Sequence, residues 1–521
     1  MRPHLWLAAH ADRLELRLPP PPFPRATGLR LRTRDRAITV EIALPQDGCA
    51  RLSIPTLLGP DMRRWDVLLV DADGGETPLC PYPPTSDVRH FFRITCGEHG
   101  LSAYLSDSAG SLVLFSAPRE QHTHIVEAED ARANFQRMLE ELPLREDLVL
   151  FESFLGKQYS GNPRYIYEAL RWMRPDLRCV WAYNGETAIP GNPQRVKRGS
   201  AEYYKLLAQA KYRVNNIMFA ARGRKPETHY LQTWHGTPLK RLRRDIRVAS
   251  GPGYIDPSRF EAESRDSATW TLLLSANAYS SAIFPRAFGY DGPILEAGYP
   301  LADALLDPAR ERSALAAHLG LPTDRRFILY APTWRDYRPV GVWRFDFDLN
   351  LDLQAVSDAL APDQILLVKA HHLVAAGLDA STLPANVLNV SHVDDITDLC
   401  VLADALITDY SSVFFDFAVT GRPILFHCYD LEMYAEQVRG FYLDPHAELP
   451  GPITRSTDEL IALLGNLDDV SARHADRYAA FRERFCAMAD GHATERVVNA
   501  FFGPPPVAVA NQVQRSRIID I

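Results

Sequence analysis

The chain has 521 residues, of which 46% are hydrophobic and 23% charged, a balance typical of a folded protein with large cores. This length indicates about two to four domains and excludes a disordered chain. The formal net charge is −8, with 57 basic and 65 acidic side chains, which argues against a general nucleic-acid-binding protein.

The cysteines and the apolar runs of the sequence indicate the cellular compartment in which the protein is expected. Seven cysteines are scattered along the chain without a CxxC spacing, which favours reduced thiols and gives no structural zinc site. The N-terminal apolar run is too short for a secretory signal, and about 18 uncharged apolar residues never occur in a row. We therefore expect a cytoplasmic protein that contacts a membrane peripherally at most.

Residues 1–120 alternate short apolar runs with turns rich in Pro and Gly. This pattern predicts an antiparallel β domain in the form of a small sandwich, and a helical connector follows at 121–145. Basic residues on alternate positions within it are expected to form a solvated strand face rather than an anion site. These residues are Arg30, Arg32, Arg34 and Arg36. The predicted strands are 14–18, 38–44, 66–72, 91–96 and 111–116.

From residue 146 the pattern changes to alternating strands and helices. It predicts two α/β domains, at 146–305 and 306–503, and a flexible tail at 504–521.

The most informative stretch is 394–423. Asp395 is placed to cap a short amphipathic helix, and the apolar run 405–407 predicts a buried parallel strand. The turn 408–412 leads into a second helix, which Gly421 would end in the left-handed conformation. The stretch therefore predicts a β-α-β unit.

Two adjacent serines, Ser411 and Ser412, lie in that turn. In open parallel sheets, ligands bind at the carboxyl ends of strands, where a helix start offers free N–H groups to an anion. The serines therefore indicate a phosphate site. Simple helix capping is an equally good interpretation of this stretch alone.

A second stretch, QTWHGTPLK at 232–240, follows a predicted strand at 230–233. His235 would lie at the carboxyl end of that strand, Gly236 allows a tight turn, and Pro238 suits a first helical position. Histidine is the usual general base because its reference pKa lies nearest neutrality, although an isolated histidine is more often structural. The basic residues that follow could meet anionic lipid or a phosphate-bearing acceptor, or form a solvated helix face. They are Lys240, Arg241, Arg243, Arg244 and Arg247.

A pair of histidines, His371 and His372, ends a third predicted strand. Neighbouring side chains on a strand point to opposite faces, so the pair is poorly placed to chelate one ion, and no third ligand has suitable spacing. We expect no metal.

Several stretches resemble, in the same order, motifs of the CDP-glycerol glycerophosphotransferase family of teichoic-acid and capsule polymerases and primases. The resemblance covers 148–502 and implies two facing Rossmann-like domains in the glycosyltransferase B arrangement, preceded by the N-terminal β domain. One segment departs from the family: where many relatives have GxPRxD, Leu301 and Ala302 replace the Arg and its neighbour. The matching stretches are YSGNP, QTWHGTPLK, APTWRD, VKAHH, ITDYSSVFFDFAVTGRPILF, RGFY and DGHATERVV.

The resemblance also implies roles for individual residues, with His235 as catalytic base and His371 as a second catalytic group, and with no cofactor. The implied donor and phosphate-binding residues are Thr333, Arg335, Thr408, Asp409, Ser411, Ser412, Asp416 and Arg439. Gly236, Thr237, Lys240 and Arg243 would lie on the acceptor or membrane side.

The implied activity is transfer of a polyol phosphate from CDP-glycerol or CDP-ribitol to a hydroxyl of a glycan, teichoic-acid or capsule-type acceptor, with release of CMP. The acceptor could be lipid-linked, and an anionic membrane surface is a further candidate partner. Two other interpretations remain open: a nucleotide-sugar glycosyltransferase or epimerase with the same architecture, and a degenerate nucleotide-binding module.

Overall fold

The computed structural model describes residues 4–504, with gaps at 11–12, 18–25, 46–48, 82–89, 106–110, 247–264, 334–338, 342–343, 346–348 and 371–381. The chain forms two compact units that divide between Ala133 and Asn134. None of the helices within the described ranges is long and apolar enough to cross a membrane.

The N-terminal unit consists of two β-sheets and the helix Arg119–Ala133. One apolar cluster takes residues from both sheets, including Leu14 and Leu16 from one and Leu29 and Trp65 from the other. The first sheet has the strand order Cys49–Ser53, Arg13–Arg17, His4–Ala9, Cys80–Pro81. The second has the order Thr39–Ala43, Ala26–Thr33, Arg63–Asp71, Leu112–Pro118, His99–Leu105, His90–Cys96, with Glu76–Pro78 paired to Arg63–Asp71.

Nearly all pairings in these sheets are antiparallel, which confirms the predicted β domain. Arg32 lies 2.7 Å from Glu76, and Arg34 lies 3.3 Å from Asp66. Arg32 is therefore ion-paired on the strand Ala26–Thr33, whereas Arg34 lies in the exposed turn that follows, so the predicted solvated strand face does not extend to Arg34.

The second unit contains two parallel sheets. We call the part around the first sheet the first lobe and the part around the second sheet the second lobe. The first sheet has the order Gln194–Val196, Arg178–Ala182, Arg145–Glu152, Ala210–Asn215, His229–Gln232, Leu272–Ser275, Ile294–Glu296. The second has the order Val387–Asn389, Gln364–Val368, Arg326–Ala331, Ala403–Thr408, Ile424–His427, Ile453–Thr454. A short hairpin joins Pro339–Gly341 to Arg344–Phe345.

Helices connect the parallel strands, because strands that run in the same direction need a long crossover. The helices of the first lobe are Phe135–Glu141, Gly161–Met173, Ala201–Gln209, Ala278–Phe288 and Pro300–Leu306. The later helices are Arg312–His318, Leu353–Ala359, Ile396–Leu402, Val413–Phe417, Leu431–Met433, Pro445–Glu448, Thr457–Leu464, Leu467–Phe485 and Ala493–Phe502.

The last helix returns to the first lobe. Val497, Val498 and Phe502 lie in the apolar core of the first lobe together with Val149 and Leu231. Asp303 accepts hydrogen bonds from the N–H groups of Ala493 at 3.1 Å and Thr494 at 2.7 Å, so its carboxylate caps this helix.

Local signals placed the elements around the second sheet correctly. Asp395 accepts a hydrogen bond from Thr397 N at 2.9 Å and caps Ile396–Leu402. Gly421 has a φ of 72°, as its predicted left-handed cap requires. The predicted helix start at Pro238 is wrong, because the chain there is extended and forms only a 3₁₀ turn at Arg243–Asp245.

Candidate active site

His235 lies just beyond the strand His229–Gln232, at the carboxyl edge of the first parallel sheet. Its Nδ1 lies 2.7 Å from the backbone carbonyl of Asn216. Because a carbonyl oxygen can only accept, Nδ1 carries the proton, and Nε2 presents its lone pair. This tautomer is the one that a general base needs.

The loop that holds His235 has unusual backbone angles. Trp234 has a φ of 52° and Gly236 a φ of 149°, values that bulky side chains rarely adopt. Gln232 holds the loop in place, because its Oε1 accepts from Trp234 N and its Nε2 donates to the carbonyl of Ile217, both at 2.9 Å. The Trp234 ring then packs against the imidazole at 4.0 Å between ring centroids.

Burial lowers the pKa of His235 to about 4, and the positive charges of Arg243 and Lys240 act in the same direction. The carbonyl of Asn216 opposes this shift without outweighing it. The imidazole is therefore neutral at pH 7 and ready to accept a proton. A bound anionic substrate would raise this pKa again, because a nearby negative charge favours the imidazolium.

Hydrogen bonds connect the ends of neighbouring strands of the second sheet, just before the candidate phosphate site in the chain. Asp409 accepts from Thr333 N at 2.8 Å and from Tyr410 N at 2.6 Å. The Thr408 hydroxyl donates to the carbonyl of Ala331 at 2.7 Å and is fully buried. Thr408 and Asp409 thus fix the loops, whereas the serines that follow are partly exposed.

Helix capping does not account for Ser412. It precedes Val413–Phe417, yet its side chain makes no capping hydrogen bond. The Ser411 hydroxyl lies at the limit of hydrogen-bond distance from Val413 N, at 3.5 Å. Because this helix has only 5 residues, it contributes a weaker dipole than the sequence suggested, so anion binding would depend on the hydroxyl groups.

The two lobes meet at Gly236 and Ser412. A Cβ atom placed on Gly236 would lie 2.4 Å from Ser412 Oγ, so only a glycine fits there without a shift. His235 and the serine pair therefore belong to the same small region, although they come from different sheets.

Asp416 lies in the short helix after the serines. Burial and the negative charge of Asp395 raise its pKa to about 8. At neutral pH its carboxyl group is largely protonated and can act as a hydrogen-bond donor.

The segment after His235 pairs with the RGFY segment of the second lobe. Lys240 forms an antiparallel bridge with Phe441, and Arg241 N donates to the carbonyl of Gly440 at 3.0 Å. Tyr442 N donates to the carbonyl of Leu239 at 2.8 Å. Arg439, which ends the π-helical turn Tyr434–Val438, therefore lies toward the Leu242 end of the paired segment.

The basic segment is not a solvated helix face. The Arg243 guanidinium lies 5.0 Å from the ring centroid of Phe288 and 5.8 Å from that of Trp234, so it stabilises the loop through cation–π contacts. Arg244 is exposed. Thr237 is buried, and its hydroxyl accepts from Asn277 Nδ2 at 3.3 Å, which indicates a structural role.

Two predicted site residues, His371 and Arg335, lie outside the described residues, as do His372 and Arg247. Within the ranges that the structure covers, no group of three His, Cys, Asp or Glu side chains could hold a metal ion. Leu301, which stands where many relatives have an arginine, is buried in the core of the first lobe. The residue at this position therefore packs in the interior.

Sequence reasoning missed Asn216, whose carbonyl orients His235. A signal was present, since Asn215 ends the strand Ala210–Asn215 next to the histidine-bearing strand and Asn216 directly follows it. Polar residues at neighbouring carboxyl ends of parallel strands meet at one edge of a sheet.

Two parallel sheets in two lobes have the arrangement of the glycosyltransferase B class, with His235 at the carboxyl edge of one sheet and Ser411 and Ser412 at that of the other. A model of the family described as CDP-glycerol:poly(glycerophosphate) glycerophosphotransferase matches residues 134–503. The chain belongs to this family, and its predicted membership and fold are confirmed.

Its relatives are enzymes of teichoic acid synthesis. The chain is 39% identical over 378 residues to a teichoic acid poly(glycerol phosphate) polymerase of Staphylococcus epidermidis, a match that spans 70% of this chain and 52% of the relative. It is 36% identical to a teichoic acid glycerol-phosphate transferase of Staphylococcus aureus, over 70% of this chain and 95% of the relative. The chain thus spans about half the length of the polymerase.

A solved structure of the wall teichoic acid polymerase TagF, a histidine variant soaked with CDPG, is also similar. It has a TM-score of 0.66 and 34% sequence identity, and the match covers 76% of this chain and 98% of that chain.

Proposed function

We propose that this chain transfers a polyol phosphate from a CDP-alditol to a hydroxyl of a teichoic-acid-type acceptor and releases CMP. The observation that carries this proposal is the close approach of Gly236, the residue after His235, to Ser412 at the contact between the lobes. Family membership across both lobes supports the choice of donor.

His235 acts as the general base in this proposal. The acceptor O–H gives its proton to Nε2, the acceptor oxygen forms a bond to the β-phosphorus, and the bond from that phosphorus to the bridging oxygen breaks. CMP leaves with the bridging oxygen and its electron pair. The fixed Nδ1 contact with Asn216 stabilises the imidazolium as it forms.

The negative charge on the oxygens of the transferred phosphoryl group must be stabilised in the transition state by hydrogen-bond donors that point at those oxygens. Ser411, Ser412 and the protonated Asp416 would supply O–H donors from the second lobe, and Arg439 would supply a cation. The roles that the resemblance implies for His371 and Arg335 complete this set.

Glycerol phosphate is the transferred group that the comparisons favour. The relatives that share 39% and 36% identity are named for glycerol phosphate, whereas the ribitol-phosphate polymerase TarK of Staphylococcus aureus shares 25%. Ribitol phosphate remains the alternative that the experiment below tests.

The acceptor is proposed to be presented at the cytoplasmic face of the membrane, with the protein attached peripherally. Arg244 is the exposed member of the described basic segment and would make the lipid contact. Vesicles containing anionic lipid should retain the protein at low salt and release it at high salt. Lack of retention at low salt would remove the membrane from this proposal.

Transfer can be measured with CDP-glycerol and CDP-ribitol labelled in the alditol and in the β-phosphate, with a glycerol-phosphate oligomer as acceptor. Appearance of both labels in the product together with free CMP supports phosphotransfer. Release of intact CDP would instead identify a glycosyltransferase-like reaction. His235→Ala serves as the inactive control, and Asp363→Asn, an exposed change at the far end of the second sheet, as the neutral one.

A further inference from the structure

A loop of the first lobe is held by carboxylates of the second. Asp394 accepts from Tyr159 N at 3.1 Å and from the Tyr183 hydroxyl at 2.6 Å. Asp395 accepts from Gly161 N at 3.2 Å. Both carboxylates thus lie at the start of the helix Gly161–Met173, where an open parallel sheet would otherwise accept an anion.

Asp395 is also held by a hydrogen bond within the second lobe. One of its oxygens caps Ile396–Leu402 through Thr397 N, and the other accepts from Arg164 at 3.2 Å as well as from Gly161. Only 2% of its surface is exposed. A single carboxylate therefore ties together the starts of two helices, one in each lobe.

From this loop, hydrogen bonds continue to His235. The Ser153 hydroxyl donates to the carbonyl of Ser160 at 2.8 Å and accepts from Asn216 Nδ2 at 3.0 Å. Phe154 N donates to Asn216 Oδ1 at 2.8 Å. The carbonyl of the same Asn216 orients the His235 ring.

The second lobe connects these carboxylates to the serines. The helix Ile396–Leu402 leads directly into the strand Ala403–Thr408, and Ser411 and Ser412 lie in the turn after that strand. Lys369 steadies the carboxylate-bearing loop, because its ammonium group donates to the carbonyls of Ser391, at 3.0 Å, and Val393.

We propose that Asp394 and Asp395 are positioning residues for transfer, which set the orientation of the His235 imidazole relative to the serine pair through the loop 153–161. The expected effect on kcat rests on the proposed function. The expected effect on the orientation of the His235 imidazole does not. The two carboxylates accept from the N–H groups of Tyr159 and Gly161 in this loop.

The first test is kinetic, with CDP-glycerol as donor. Asp394→Ala and Asp395→Ala should each lower kcat by about 10- to 100-fold, because a small misplacement of a base is costly. Donor affinity measured by calorimetry should stay within about twofold, since neither side chain reaches the nucleotide. Asp394→Asn should recover most of the loss at that position, because both of its hydrogen bonds fall on a single oxygen, which an amide can also supply. Asp363→Asn, which removes an exposed carboxylate that pairs with Arg326, is the matched control.

The second test needs no substrate. The pKa of the His235 imidazole is followed by NMR, with the signal assigned through His235→Ala. It should rise toward the ordinary histidine value in Asp394→Ala, because a displaced ring is better solvated, and should stay unchanged in Asp363→Asn.

The outcomes separate the two proposals. A wild-type chain that transfers no polyol phosphate, but shows the shift of the imidazole pKa in Asp394→Ala, overturns the proposed function and leaves the positioning contact standing. An unchanged imidazole pKa in Asp394→Ala overturns the positioning role. A parallel loss of donor affinity and kcat also overturns it, because the carboxylates would then belong to the donor site.

Discussion

Gly236 and Ser412 come from different sheets, yet the space between them is too small for one methyl group: a Cβ on Gly236 would lie 2.4 Å from Ser412 Oγ and 2.8 Å from its Cβ. Residue 236 also has a φ of 149°, which side-chain-bearing residues rarely adopt. The contact links the base and the candidate phosphate site at a single point.

Gly236→Ala should therefore lower kcat by at least about tenfold, because the loop or Ser412 must move. Ser412→Gly in the same chain removes the clash but not the backbone strain, so the double variant should recover part of the activity. A double-mutant cycle on kcat measures this coupling. Additive effects would show that the two residues do not meet in solution.

Ser411→Ala combined with Ser412→Ala should weaken CDP-glycerol binding by about 10- to 100-fold, because hydrogen bonds to charged groups contribute about 1.5–3 kcal/mol. The melting temperature should change little, since both side chains are partly exposed. Calorimetric titration gives the affinity. An unchanged dissociation constant would remove the serines from the donor site.

His235→Ala should lower kcat by about 10²- to 10⁴-fold while leaving donor affinity nearly unchanged, because a base acts on the acceptor proton. The pH profile adds a sharper check. Since the pKa of His235 is lowered to about 4, kcat/KM should rise with pH through an acidic ionisation and not a neutral one. In the profile of kcat this limb should lie at higher pH, because the bound diphosphate favours the imidazolium. Persistence of the limb in His235→Ala would assign the base to another residue.

Asp416→Asn should stabilise the protein at neutral and alkaline pH. The pKa of Asp416 is raised to about 8, so its contribution to stability is greatest below its ordinary pKa and is lost as pH rises through 8. The gain in the free energy of unfolding should therefore grow between pH 5 and pH 9, to on the order of 5 kcal/mol above pH 8. Asp363→Asn is the matched control, because Arg326 lowers the pKa of Asp363. A gain that does not depend on pH would contradict the raised pKa.

Tyr442→Phe should destabilise the second unit by about 1–3 kcal/mol, because its hydroxyl donates to Asp245 at 2.5 Å and accepts from Leu242 N at 3.1 Å. Burial alone would raise the pKa of Asp245, but hydrogen bonds from Arg286 and Tyr442 outweigh it and lower this pKa. That contribution is present above the ordinary aspartate pKa and is lost as pH falls, so the destabilisation should shrink toward pH 3.

Urea unfolding at several pH values measures both effects. Tyr290→Phe is a suitable control, because the Tyr290 hydroxyl donates to the backbone carbonyl of Pro293 and its loss should cost the same at every pH. Equal pH dependence in the two variants would argue against the Tyr442–Asp245 contact.

Local patterns in the sequence were sufficient for much of the fold. Asp395 as a cap, the strand around 405–407 and Gly421 as a helix end follow from residue preferences that act within a few positions. The position of His235 at a sheet edge followed from the same reasoning. In each case the deciding interactions lie within one turn or one strand.

The contacts between lobes could not be predicted in this way. Lys240 and Phe441 form a bridge although about 200 residues separate them, and no local preference encodes such a pairing. The burial that lowers the pKa of His235 also arises from packing. The reference pKa of histidine, near neutrality, therefore did not predict the pKa of this residue. Asn216 was overlooked because its backbone carbonyl, and not its side chain, contacts the histidine.

The return of the helix Ala493–Phe502 to the first lobe has a consequence for synthesis on the ribosome. Val497, Val498 and Phe502 complete a core whose other members, such as Val149 and Leu231, are made hundreds of residues earlier. The core of the first lobe therefore stays incompletely packed until residues up to Phe502 have emerged, although domains usually fold in order of synthesis. A nascent chain halted before residue 493 should therefore expose this apolar surface to chaperones and remain sensitive to protease, and one halted well beyond residue 503 should not.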